Sequence, residues 1–198
     1  MGHTFHARFL SEAELRTYLL YAHLSFNSIV FVLMHVQLWR PGGGVGSNAS
    51  LHKTIGRISF ACLTVGTLCA LWLAGSHGSV SEYGGNLSMY GFWSMSLFVY
   101  GCAVMGVLAI RQGDRAKHRI WMIRFAGAMW GAFWLFRVML FVLGPLLRDY
   151  EAANILACIW LSAPLGILIA EVARRRLLDK RPEQGGMSSG VGRVAANA

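Results

Sequence analysis

The chain has 198 residues, 55% of them hydrophobic and only 14% charged. Soluble domains carry about 25% charged residues, so this composition lacks the polar surface that water demands and argues for lipid as the solvent. The net charge of +9 does not point to nucleic acid, because the basic residues fall in short segments between uncharged runs, where membrane topology accounts for them.

Residues 1–11 read as a short N-terminal segment. His3, His6 and Arg8, followed by Glu12 and Glu14, leave no apolar core of the kind a cleavable signal peptide has. Ser11-Glu12-Ala13-Glu14 fits a capping box that opens the first helix. From Thr17 to Trp39 there is no formal charge, and a run of about 20 apolar residues is what a helix needs to cross a bilayer. Pro41-Gly42-Gly43-Gly44 ends it. Leu51–Arg57 is a basic entry to a second helix reaching about Ala74, and Gly75–Leu87 is a polar connection without Lys or Arg. A third helix is expected over about Ser88–Ile110. The fourth runs from about Lys117 to Leu147, with Arg124 in its first turns and Arg137 deep inside. After the charged turn Arg148–Glu151 a fifth covers about Ala152–Glu171, with Pro164 as a candidate kink. Residues 172–198 read as a basic, flexible tail ending in a Gly/Ser/Ala-rich stretch. The expected architecture is all-α: a polytopic five-helix transmembrane bundle over residues 12–171, with no second domain.

Charge fixes the expected orientation. The connections after helices one and three and the tail hold thirteen Lys and Arg, from Arg40, Lys53 and Arg57 to Arg193. The N-terminal segment and the other two connections hold only Arg8, Arg16 and Arg148. Positive residues favour the cytoplasmic side, so the N-terminus belongs outside and the C-terminus inside. An even number of helices would scramble this segregation. Trp39, Trp72, Trp93, Trp121, Tyr18 and Tyr90 fall near helix ends, as interfacial anchors do. The location implied is the plasma membrane or an organelle inner membrane.

No nucleophile elbow, zinc-protease, Walker or dinucleotide-binding pattern is present. Cys62, Cys69, Cys102 and Cys158 lie in apolar runs and form no C-x-x-C, which marks them as small hydrophobes. Asn48-Ala49-Ser50 and Asn86-Leu87-Ser88 are chance matches to the loose glycosylation pattern. Polar groups inside the spans are functional candidates by default. His23 and His35 lie twelve residues apart on helix one. His52 and His118 lie at the expected inner ends of helices two and four, and His77 at the outer end of helix two. Histidines at two levels are the arrangement that b-type haem needs, since each iron takes two axial imidazoles from facing helices. His23, His35 and His118 are the candidate metal ligands, with His52, Arg124 and Arg137 as further cofactor contacts. Against this, twelve residues turn a helix about 120° out of register, so His23 and His35 do not share a face. Arg137 has no carboxylate at its own depth. It either snorkels and bonds carbonyls or amides such as Asn27 or Gln37, or it holds an anionic group of a bound molecule: a haem propionate, a lipid headgroup or a quinone oxygen. The basic knots at His52-Lys53 with Gly56-Arg57 and at His118-Arg119 with Arg124 read as positive anchors or as an anion site at the bundle mouth.

The motifs His52-Lys53-x-x-Gly56-Arg57 and His118-Arg119-x-Trp121-Met122-Ile123-Arg124, with Arg137 thirteen beyond and Gln37 and Arg40 ending helix one, resemble those of the multi-pass membrane family DUF2306. The resemblance covers about Tyr21 to Leu147. Lys53 stands where that family usually has Arg, and Pro41–Ser50 is an elaboration. The family has no settled activity. Its helical arrangement is distantly similar to diheme cytochromes of the b type, which would favour His23, His35, His52 or His118 as ligands. Three readings compete. The chain is a haem-binding protein of transmembrane electron transfer, a non-catalytic subunit of a larger energy-converting membrane complex, or a transporter. The last ranks third because the five helices show no internal repeat. Membrane lipids are partners in every case, with other complex subunits in the second. The orientation is tested by thiol labelling in a background where the four native cysteines are replaced. Ser81→Cys is expected to react with an impermeant reagent in intact cells, and Gly43→Cys only after permeabilisation; the reverse pattern overturns the orientation.

Overall fold

The computed structural model describes residues 12–39, 48–76, 85–146 and 151–178. They form five helices: α1 (Glu12–Trp39), α2 (Asn48–Gly75), α3 (Asn86–Arg111), α4 (Arg115–Leu146) and α5 (Glu151–Leu178). All five are long and apolar enough to cross a membrane, and no strand occurs among the described residues. A bilayer offers no hydrogen-bond partner, so a spanning backbone must pair with itself, and a helix does so within one segment. The outer surface agrees with lipid: Phe141 is 85% exposed and Leu146 75%, positions that water would penalise. The chain is an integral, multi-pass membrane protein.

Neighbouring helices run in opposite directions, as their cross-contacts show. His23 and Gln37 of α1 meet Gly66 and His52 of α2 in reverse order. Trp93 and Tyr100 of α3 meet Leu71 and Thr64 of α2. Arg124 and Gly127 of α4 meet Glu171 and Gly166 of α5. One end of the bundle therefore carries the end of α1, the start of α2 and the 112–114 connection; it is called the basic end below. The core packs Val30 and Met34 of α1, Leu63 of α2, Val99 and Cys102 of α3, and Phe125 and Met129 of α4. Cys158, Ile159 and Ala163 of α5 are fully buried. None of the four cysteines is in a disulfide.

Three local features depart from the sequence reading. Helix four starts at Arg115, because Asp114 caps it by accepting a bond from the Lys117 amide at 2.8 Å. Gly113, at φ 79°, takes the left-handed conformation that a three-residue connection needs. The basic knot 115–119 thus belongs to the first turns of α4. Second, α4 is interrupted by a π turn over Gly131–Leu135, and Arg137 comes two residues after it. Third, α5 does not stop at Glu171 but continues to Leu178. Glu171 pairs with Arg174 at 2.7 Å and Arg175 at 3.1 Å, and such i+3 and i+4 pairs support helix. The run Arg174–Arg176 is helical surface. Ser11, Arg40, the glycine run 42–44, His77, Arg148 and the tail beyond 178 lie outside the described residues.

Helices α4 and α5 approach backbone to backbone. A Cβ on Gly166 would meet the Gly127 carbonyl oxygen and the Gly131 backbone, and one on Gly131 would meet the Ser162 carbonyl oxygen. Small residues allow this in membranes, where close packing replaces the hydrophobic drive. Gly166→Leu is expected to push the two helices apart and to cost about 3 kcal/mol or more, read as a lower unfolding temperature in detergent; an unchanged temperature would contradict the contact.

Candidate functional site

The nominated residues separate into two groups. His23 and Arg137 line one small cleft near mid-span, together with Asn27, Thr67 and Ser96, so α1, α2, α3 and α4 each contribute a polar group. Its volume is about 100 Å³. His52, His118 and Arg124 lie at the basic end and do not reach it. His35 lies between, on the α1 face that meets the π turn of α4.

The cleft is built by short polar ties. His23 Nδ1 lies 3.0 Å from the Gly66 carbonyl oxygen. Asn27 Nδ2 lies 3.0 Å from the same nitrogen, so Nδ1 either donates to the carbonyl or accepts from the amide, as the tautomer decides. Asn27 Nδ2 donates to the His23 carbonyl oxygen at 2.9 Å. A Cβ on Gly66 would strike the Asn27 amide, so the glycine makes room for the pair. Arg137 donates through Nη1 to the Phe133 carbonyl oxygen one turn back, and its guanidinium lies 5.7 Å from the Phe133 ring centroid. Among the described residues no carboxylate pairs with it. The expected carbonyl bond is present, and the Asn27 amide shares its cleft. Gln37, at the other end of α1, instead donates to the His52 carbonyl oxygen at 3.2 Å.

Two further imidazoles each donate to a carbonyl. His35 Nδ1 donates to the Phe31 carbonyl oxygen at 2.7 Å, and His118 Nδ1 to that of Gly106 at 2.8 Å. In the neutral form these two rings keep Nε2 as a lone-pair donor, which is how ligating histidines are held. Their places differ. The His35 ring packs on Phe31 at 4.4 Å and Trp130 at 5.4 Å, while Phe31 stacks on Phe133 at 4.9 Å. Among the described residues no three His, Cys, Asp or Glu converge as a metal group. A histidine lone pair is the kind of donor that haem iron takes. The cleft beside His23, however, is well below the roughly 300–1,000 Å³ of cofactor pockets.

Arg124 meets a different fate from Arg137. It stacks on Trp121 at 4.8 Å and bonds Glu171 at 3.4 Å. That carboxylate also takes Arg174 and Arg175, so three guanidiniums converge on one acid. A pair 47 residues apart leaves no local signal in the sequence, and neither do the cleft hydroxyls Thr67 and Ser96, which are ordinary residues in membrane helices. Glu171→Gln is expected to destabilise the bundle by about 1–2 kcal/mol, since it strands two half-buried arginines. Arg175, 68% exposed, is worth less than about 0.5 kcal/mol. Equal melting shifts for Glu171→Gln and Arg175→Gln would refute the convergence.

Among known families, the one described as "Predicted membrane protein (DUF2306)" matches residues 20–172. No curated protein and no solved structure matches the chain. With most of the bundle covered, helices and basic motifs included, the chain belongs to that family of multi-pass membrane proteins.

Proposed function

We propose that the mid-span cleft binds the oxygen-rich head of an amphipathic molecule that reaches it from the surrounding lipid, a carboxylate or a quinone carbonyl. The observation that supports this reading is Arg137. A guanidinium stays charged at every physiological pH, and an arginine inside a span costs up to about 2.5–3.5 kcal/mol, the figure for the centre on the lenient insertion scale. Arg137 lies about 14 Å along the axis from Leu146 at 1.5 Å per residue, a long way to snorkel. A head group that accepts hydrogen bonds would offset that cost, and Asn27, Thr67 and Ser96 supply neutral partners around it. A volume of about 100 Å³ equals roughly three waters at about 30 Å³ each, enough for a carboxylate with its tail left in lipid.

A second reading, b-type haem serving electron transfer, is favoured by the Nε2 lone pairs of His35 and His118, either of which would be the ligand, with haem supplying a one-electron couple when bound. Purification separates these readings from that of a non-catalytic subunit in a larger complex. The cleft reading expects a near-stoichiometric amphiphile in solvent extracts of the detergent-purified protein, reduced at least ten-fold by Arg137→Leu and largely kept by Arg137→Lys. The haem reading expects a Soret band that His35→Ala or His118→Ala abolishes. The subunit reading expects co-purifying partners. A colourless protein without a bound amphiphile, whose Arg137→Leu variant is simply more stable, would eliminate the first two.

A further inference from the structure

A second concavity runs along the lipid face between α4 and α5, away from the cleft. It holds about 590 Å³ and its lining is almost wholly apolar, with Arg174 at one end. Its floor is formed by small residues, Ala126, Gly127, Gly131 and Gly166, and Trp130 and Trp134 form a wall, stacked at 6.1 Å. On α4 it extends from Ile123 to Val138, about 22 Å at 1.5 Å per residue. One leaflet of a roughly 30 Å hydrocarbon core is about 15 Å deep, so the groove can take a whole acyl chain.

We propose that this groove holds an acyl chain of an anionic phospholipid whose phosphate sits at the arginine cluster of the basic end. The apolar lining alone would suit a partner helix equally well; the charge decides between them. Arg174 belongs to the groove wall and to the cluster at once. There three guanidiniums meet the single Glu171 carboxylate, and among the described residues this leaves positive charge in excess. Arg115, Lys117 and Arg119 in the first turns of α4 add to the same end. The acid nearest that knot in sequence, Asp114, is engaged as the helix cap. A phosphate diester answers this surplus through charge-assisted hydrogen bonds. An apolar helix would leave it unanswered.

Trp130 and Trp134, 45% and 53% exposed, are built-in reporters. The full chain is reconstituted in phosphatidylcholine vesicles carrying, at equal mole fraction, either brominated phosphatidylglycerol or brominated phosphatidylcholine. Emission from the groove is isolated by difference against Trp130→Phe/Trp134→Phe. Brominated phosphatidylglycerol is expected to quench at several-fold lower mole fraction. Arg174→Gln and Arg175→Gln should each cut that preference about five-fold, and Lys at both positions should keep it. Ala173→Phe, which fills the groove, should weaken quenching by both lipids. Raising the salt on the unaltered protein, which shortens the screening length from about 10 Å at 0.1 M to about 3 Å at 1 M, should also erode the preference, a measurement that needs no variant to fold. Equal potency of the two lipids would overturn the proposal. So would a preference that survives both glutamine substitutions and high salt, or no quenching at all in a chain that cross-links as a dimer through this face.

Discussion

Lipid supplies no hydrogen bonds, and that single deprivation shapes the bundle. Each spanning backbone closes its own bonds as helix, and the remaining polar side chains must find partners inside. Several do so on carbonyl oxygens. His23 reaches Gly66, His118 reaches Gly106, Trp93 reaches Leu71 and Gln37 reaches His52, each crossing to an adjacent helix. Such ties are worth about 0.6–2 kcal/mol apiece in membranes. No single one dominates, but together they fix which faces meet.

Close approach is the complementary device. Where α4 and α5 meet, glycine lets the backbones touch; where α1 meets α4, aromatic rings fill a wider gap, with Phe31 between His35 and Phe133. The difference explains where the hollows are. Rings that cannot fill the corner between four helices leave the cleft at His23 and Arg137. The small residues that draw α4 onto α5 leave a trough along the outside of that seam.

Charge is handled in two ways by the same residue type. Arg124 lies near the start of α4, where α5 brings Glu171 alongside, and becomes part of an ion-paired cluster. Arg137 lies beyond the π turn, where the described part of the bundle supplies only a carbonyl, a ring face and neutral polar groups. The first is explained by the fold itself. The second is not, and the proposed head group would answer it.

Much of the architecture was legible in the amino-acid order, because the signal for a membrane helix is local. Uncharged runs near 20 residues, bounded by Pro41 and the glycines, by Arg57 and by Arg111, set five helices to within a few residues at most ends. The family motifs could be read in the same way. The exception was the end of α5, where pairs within one helix turned an apparent tail into surface; at the start of α4 the Asp114 cap moved the boundary by only two residues, from Lys117 to Arg115.

What only the tertiary structure decided was company. Whether His23 and Arg137 share a cleft, whether Arg124 has a counter-charge, and which partner each imidazole meets depend on how helices rotate and cross. Rotation is set by packing against neighbours distant in the chain, and a strip of apolar residues looks the same from every side. Composition determined that these helices lie in lipid; the contacts between them determined which polar groups meet there.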